Sequence, residues 1–294
     1  MDASPAVTAL CEGVRKLGAR FDDAVLQATR ELYAPHLAPL PPGCSTQRDV
    51  AYGPDARHRL DLYLPPGGGT RAAPLLLYVP GGGFVGGDKD LGDGFYANVG
   101  GLFAGAGFAT AVMNHRLAPA HAWPAGSDDV AAAVAWLAAN GQAHGADAGR
   151  LCAIGQSAGA THLAGVLFDA RFAAAARHVR AGVLMSGLYD AQAPLRPGPL
   201  AYFGPDAATY AERSPLRQAR PGHARVLLAL AELDPAGMAR QTLQLADRLA
   251  EVDGHCPPLA WLEGHNHVST VFSLGTAQDD VARVLLDFLR RGVG

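Results

Sequence analysis

The chain has 294 residues, 49% of them hydrophobic, and a formal net charge of −3 at pH 7. That length supports a sizeable core in one large α/β domain spanning 1–294, and the near-neutral charge gives no basis for a nucleic-acid partner or a disordered tail. No apolar run is long enough to span a membrane, the first 18 residues lack a signal-type apolar core, and Cys11, Cys44, Cys152 and Cys256 form no C-x-x-C pair. A reducing, cytoplasmic setting with no membrane partner is therefore expected.

Residues 1–45 read as an arm outside the sheet. Phe21, Val25, Leu26, Thr29, Leu32 and Tyr33 fall at helical spacing, predicting a helix over 20–33 that Pro35, Pro39, Pro41 and Pro42 then end. Packing and a partial cap over a pocket are both open to such an arm. Two short runs at 48–52 and 59–64 flank Gly53-Pro54-Asp55 and read as a hairpin, followed by a loop at Pro65-Pro66-Gly67-Gly68-Gly69. Residues 75–79 form a continuous apolar run, as in a strand buried on both faces. Directly after it comes Pro80-Gly81-Gly82-Gly83-Phe84, whose glycines leave backbone N–H groups unshielded, as acyl transfer through an oxyanion requires.

Further along, a helix is expected over 95–106, a strand over 108–113 and a helix over 128–140. The apolar run 151–154 then stops at Gly155-Gln156-Ser157-Ala158-Gly159, with an Ala- and Leu-rich helix to 168 behind it. Strand, tight turn and helix around G-x-S-x-G is the setting of a nucleophile elbow, which lifts the serine oxygen above the sheet edge beside a helix N-terminus. Cys152, inside that run, is expected to be a buried thiol. A strand at 181–185 ends in Ser186-Gly187. The proline-rich stretch 189–216 reads as an irregular, lid-like insertion above the strand ends. Strands at 226–230 and 258–262 lead to Asp234 and to His265-Asn266-His267, and a helix over 279–291 closes the chain with a surface that could support a homodimer.

Eight strand-like segments with helices interleaved from the third onward specify a mostly parallel sheet covered on both faces. Working residues of such sheets collect beyond the carboxyl ends of strands, and Ser157, Asp234 and His267 all occupy such places, in the chain order Ser, Asp, His. His267 would take the Ser157 proton, Asp234 would hold the histidine tautomer, and the N–H groups of Ala158, Gly82 and Gly83 would hold the oxyanion. Phe84 and Gln156, within the two motifs, are expected to bind substrate. Glu232 competes with Asp234 for the acid and His265 with His267 for the base, while His162, His115 and His121 read as packing or rim residues. No cofactor is called for, and the histidines offer no third and fourth metal ligand.

Together with Asn114-His115-Arg116-Leu117-Ala118-Pro119 and Ser186-Gly187-Leu188-Tyr189-Asp190, these motifs resemble the α/β-hydrolase superfamily, specifically the hormone-sensitive-lipase-like esterases and their arylformamidase (kynurenine formamidase)-like relatives. The resemblance covers residues 48–294. It implies an α/β-hydrolase fold and a serine hydrolase acting on a small-molecule carboxylic ester or, in the formamidase branch, an aryl formamide. A binding protein on an inactive hydrolase scaffold is the reading from another class, and the complete set of three residues weighs against it. Two positions depart from the family pattern: Pro80 stands where a histidine usually opens the glycine motif, and His115 where a tyrosine usually precedes the arginine. The backbone donors survive at Pro80, but a side-chain hydrogen bond that fixes the loop does not.

Overall fold

The computed structural model describes residues 4–67 and 72–294. Two helices come first, α1 (Pro5–Leu17) and α2 (Asp23–Tyr33). Each begins at a side-chain cap: the Ser4 hydroxyl accepts the Val7 N–H and the Asp22 carboxylate accepts the Val25 N–H. The helix expected over 20–33 therefore starts at Asp23, because Asp22 is held in extended backbone as its cap. Helix α1 was not evident in the sequence.

The sheet is built from β1 (Ser45–Ala51), β2 (Arg59–Leu64), β3 (Ala73–Val79), β4 (Ala109–Met113), β5 (Ala146–Gln156), β6 (Val179–Met185), β7 (Arg225–Leu233) and β8 (Leu259–Asn266). Between them run α3 (Ala97–Gly105), α4 (Ala125–Asn140), α5 (Ala158–Phe168), α6 (Ala173–Ala176), α7 (Pro197–Phe203), α8 (Tyr210–Arg213), α9 (Pro215–Gln218) and α10 (Ala236–Asp253), with α11 (Ser269–Phe272) and α12 (Asp280–Val293) after the last strand. Among the described residues the strand order is β1-β2-β4-β3-β5-β6-β7-β8. The pairs β1/β2 and β2/β4 are antiparallel and the others parallel. The loop expected at 65–69 runs into residues 68–71, and its Gly68 and Gly69 lie outside the described residues, as do the first three residues of the arm.

Strands β3 and β5 are apolar on both faces because both faces are covered. Leu75, Leu77, Val79, Leu151 and Ala153 join one core with Val130, Val134 and Leu137 of α4 and Leu163 and Val166 of α5. The alternate residues Leu76, Tyr78, Cys152 and Ile154 join the opposite core with Val99 and Phe103 of α3 and Leu285, Phe288 and Leu289 of α12. Period-two alternation of this kind puts β5, and so the residue that follows it, in the middle of the molecule.

Three boundaries differ from expectation in ways that matter for the site. Strand β5 begins at Ala146, β7 continues to Leu233 and β8 to Asn266, so Glu232 and His265 lie in strands and not in loops. After a register irregularity the ends of β7 and β8 pair Leu233 with Asn266, which sets the next residues, Asp234 and His267, side by side. The stretch 189–216 is not irregular throughout: it holds α7 to α9. Pro197 and Pro215 open α7 and α9 at the first turn, where a missing N–H costs nothing. Its Tyr202, Phe203 and Tyr210 are buried with Phe84 in a small core over the glycine run. No helix among the described residues is long and apolar enough to cross a membrane.

Phe288 is buried where α12 covers the sheet. Phe288→Ala is expected to lower unfolding stability by about 3–5 kcal/mol, read as a lower midpoint in urea; an unchanged midpoint would show that α12 is not an integral cover of the sheet.

Candidate active site

Ser157 stands between β5 and α5 at φ 55° and ψ −123°, a backbone state that a non-glycine residue adopts only when its surroundings impose it. Its N–H donates to Met185 O of β6 at 2.8 Å. Gly159 lets α5 close on the end of β3: a Cβ there would lie 2.1 Å from Val79 O. The elbow thus needs both the strand pairing on one side and the missing side chain on the other.

The three residues expected to act together do meet. Ser157 Oγ lies 2.9 Å from His267 Nε2, and His267 Nδ1 lies 2.8 Å from Asp234 Oδ1. Asp234 Oδ2 accepts the Ser186 hydroxyl at 2.5 Å and the Ala231 N–H at 2.9 Å. Burial by itself raises the Asp234 carboxyl, but the hydrogen bonds and charge of His267, the Ser186 hydroxyl and the Ala231 N–H outweigh it and hold the group below the ordinary carboxylate value.

The rivals are engaged elsewhere. Glu232 accepts the Gly264 N–H at 2.6 Å and faces Arg15 at 3.7 Å. His265 is fully buried, with Nδ1 3.0 Å from Ser269 Oγ and Nε2 3.0 Å from Asp280 and 2.9 Å from Gln278. His162 is a packing group: Phe84 and His115 lie 5.4 and 4.7 Å from it, ring to ring. Burial, then the neighbouring His115, pushes its imidazole well below the usual value.

Among the hydrogen bonds of the described residues, none uses the N–H of Gly82, Gly83 or Ala158 as donor. Gly82 is at φ 141°, and a Cβ on it would lie 2.0 Å from Gly86 O, so the turn that leaves these donors free requires glycine there. Pro80 contributes no side-chain hydrogen bond, and the loop is pinned from the 114–118 segment instead. His115 Nε2 lies 3.4 Å from Pro80 O, Arg57 donates to His115 O at 2.7 Å and to Gly87 O at 2.8 Å, and the Ala118 N–H donates to Phe84 O at 3.0 Å.

A cleft of about 560 Å³ opens over Ser157. Its apolar wall includes Phe21, Phe84, Val85, Leu188, Leu195 and Met238. Its one carboxylate, Asp190, is held in a two-point pair with Arg217 at 2.9 and 3.0 Å. Phe84 therefore lies where a substrate-binding residue was expected. Gln156 does not: it is buried beneath the cleft, and its side-chain amide donates to His267 O at 2.9 Å, so it holds the histidine turn and does not face substrate. Two residues at the site carried no assigned role in the sequence. Ser186 was visible only as part of a strand-end motif, and Phe21, whose ring centre lies 4.5 Å from that of His267, only as one apolar position in the arm. No group of three or more His, Cys, Asp or Glu among the described residues converges as a metal site.

Parallel strands that deliver serine, acid and histidine in this chain order to their carboxyl ends follow the plan of the α/β-hydrolases. The chain belongs to the prolyl oligopeptidase family, whose model matches residues 121–294; a second family model, BD-FAE, matches residues 60–172. It is similar to Esterase LipI of Mycobacterium tuberculosis, 41% identical over 37% of this chain and 34% of the relative. It is likewise similar to the ethyl acetate hydrolase of Pseudomonas putida, 40% identical over 40% of this chain and 37% of the relative. These matches span only about a third of the relatives' own lengths. The fold is that of a solved esterase from the bacterial hormone-sensitive lipase family, with a TM-score of 0.70, 23% identity and 100% of both chains covered. The resemblance to hormone-sensitive-lipase-like esterases thus extends from motifs to the whole architecture.

The Ser186 hydroxyl helps keep Asp234 ionised, which fixes the sign of a pH effect. A carboxyl whose folded pKa is depressed contributes stability above its unfolded pKa of about 3.9 and loses it as pH falls through the folded value. Ser186→Ala is expected to cost about 1.5–3 kcal/mol at pH 7, with the gap from wild type narrowing below about pH 4. Urea unfolding at neutral and acid pH reads this; a gap independent of pH would mean the hydroxyl does not act on the carboxylate.

Proposed function

We propose that the protein is a serine carboxylesterase that cleaves small-molecule esters through an acyl-enzyme on Ser157. The observation that carries this reading is the unbroken hydrogen-bonded line Ser157, His267, Asp234 opening onto a mainly apolar cleft. In this reading Ser157 Oγ attacks the ester carbonyl carbon while His267 Nε2 takes its proton. Asp234 fixes the tautomer that leaves Nε2 free to accept, and it stabilises the imidazolium. The oxyanion is held by the N–H groups of Ala158, Gly82 and Gly83, whose lack of internal partners supports that role. Collapse expels the alcohol with the proton returned from His267; His267 then takes a proton from water, which attacks the acyl carbon, and the bond to Ser157 Oγ breaks as His267 returns the proton to it and the carboxylic acid leaves.

The names of the relatives given above, an esterase and an ethyl acetate hydrolase, favour ester over formamide. The arm over residues 4–45 and the segment 189–216 act as cover for the site, since Phe21 from one and Leu195 from the other line the cleft. Four unpaired cysteines support a reducing, cytoplasmic setting.

The test is hydrolysis of p-nitrophenyl acetate, butyrate and octanoate beside N-formylkynurenine. Wild type is expected to turn over the esters. Ser157→Ala should lose about 10⁶-fold in kcat and Asp234→Asn about 10⁴-fold, both with unchanged circular dichroism. Preference for the formamide would move the protein to the formamidase branch; ester turnover that survives Ser157→Ala would end the proposal.

A further inference from the structure

The N-terminal arm touches the catalytic histidine turn from several directions at once. Asn266, the residue before His267, is fully buried, and its Nδ2 donates to the Thr29 hydroxyl of α2 at 2.9 Å. The Thr29 hydroxyl spends its own proton on Val25 O at 2.7 Å, which leaves its oxygen free to accept. The other end of the Asn266 amide accepts the N–H groups of Val268 and Ser269 at 3.2 and 3.0 Å, so one side chain fastens the turn on both sides of His267. A second connection runs behind it: the Tyr33 hydroxyl donates to Gln278 at 2.7 Å, and Gln278 meets His265 at 2.9 Å. The apolar contacts agree. Leu10, Val14 and Tyr33 of the arm share a cluster with Val268, which follows His267, and with Leu233, which precedes Asp234. Finally the Phe21 ring tilts against the His267 imidazole at 4.5 Å.

Resting on the hydrolase reading above, we infer that the arm is a positioning element of the catalytic base, with the Thr29–Asn266 hydrogen bond as its pin and Phe21 as the stop against the imidazole face. A cover that only shaped the substrate cleft would have no need to end a buried polar chain on the residue next to the base. Thr29 is fully buried on the inner side of α2 and is not among the cleft-lining residues. Proton transfer in the transition state depends on sub-ångström placement of Nε2 between serine and leaving group, whereas ground-state binding of the ester does not. Loss of the pin should therefore appear in kcat and not in KM.

The experiment compares wild type with Thr29→Val, Thr29→Ser and Phe21→Ala, and with Gln27→Ala on the exposed side of α2 as control. Two rates are read: p-nitrophenyl butyrate turnover, and sulfonylation of Ser157 by phenylmethanesulfonyl fluoride, which needs the base but no ester. Thr29→Val, still folded by near-ultraviolet circular dichroism, is expected to lose roughly 10- to 100-fold in kcat, with KM within about twofold and a parallel fall in sulfonylation. Thr29→Ser should restore both rates, and the control should match wild type. Phe21→Ala, at a half-buried position, should slow sulfonylation even where Thr29→Val does not fold. Wild-type sulfonylation rates in folded Thr29→Val or, if that variant is unfolded, in Phe21→Ala overturn the inference and leave the hydrolase reading standing. A wild type that neither turns over ester nor reacts at Ser157 removes both.

Discussion

The buried charge of Asp234 is the constraint around which the site is arranged. At 4% exposure an ionised carboxylate without partners would cost several kcal/mol, and such a group would sooner take up a proton than stay charged. Here it receives three donors from three neighbouring places in the sheet: His267 beyond β8, Ser186 beyond β6 and the Ala231 N–H of β7 itself. The two side-chain donors depend on strands ending at the right residue. The pairing of Leu233 with Asn266 is what turns two adjacent parallel strands into a carboxylate and an imidazole at 2.8 Å. A slip of one residue at either end would send one of the two side chains to the opposite face.

The glycine run follows a different rule, because the N–H groups of Gly82 and Gly83 donate no hydrogen bond among the described residues. Free N–H groups on a glycine turn are tolerable only if the rest of the loop is tied down, and the ties here come from its carbonyls. Phe84 O and Gly87 O are taken by the Ala118 N–H and by Arg57, and His115 lies against Pro80 O. The loop that carries His115 and Arg116 is in turn held by Asp129, which meets Arg116 and the His58 ring at 2.6 and 3.0 Å. Burial pushes the His115 imidazole below its ordinary value, which disfavours a positive charge on the ring beneath the glycine run.

What could be read from the sequence, and what could not, follows the same division between local and non-local causes. The elbow, the glycine run and the strand cores were legible because a sharp turn restricts residue type and a strand covered on both faces must be apolar through its length. Residues 75–79 and 151–154 are such cases. The ends of β7 and β8 were not legible: Glu232, His265 and Asn266 are polar residues in strand conformation, whose side chains are satisfied by partners such as Gly264, Ser269 and Thr29. Gln156 looked like a cleft residue from its place in the motif, yet its amide is used on His267 O, a group 111 positions away. The roles of Phe21 and Ser186 depend on equally distant contacts, and no local pattern distinguishes them from other apolar or turn residues.

Backbone strain is distributed in the same way. Of the five non-glycine residues at positive φ among the described residues, three border the cleft: Phe84, Ser157 and Ser186, at 72°, 55° and 50°. Such conformations cost of order 1–3 kcal/mol each unless the surroundings impose them. In these three a backbone hydrogen bond to a neighbouring segment does so: Phe84 O accepts the Ala118 N–H, the Ser157 N–H reaches Met185 O, and the Ser186 N–H reaches Ala229 O. The last two run strand to strand, β5 to β6 and β6 to β7, so the strained bends are extensions of the parallel ladder and not loops laid over it. A parallel sheet resists shear between its strands, and the serine and the acid's hydroxyl partner inherit that stiffness directly. The histidine sits beyond β8, which among the described residues is the edge strand of the sheet. What does pack against it there comes from outside the sheet: the Phe21 ring, and Thr29 through Asn266.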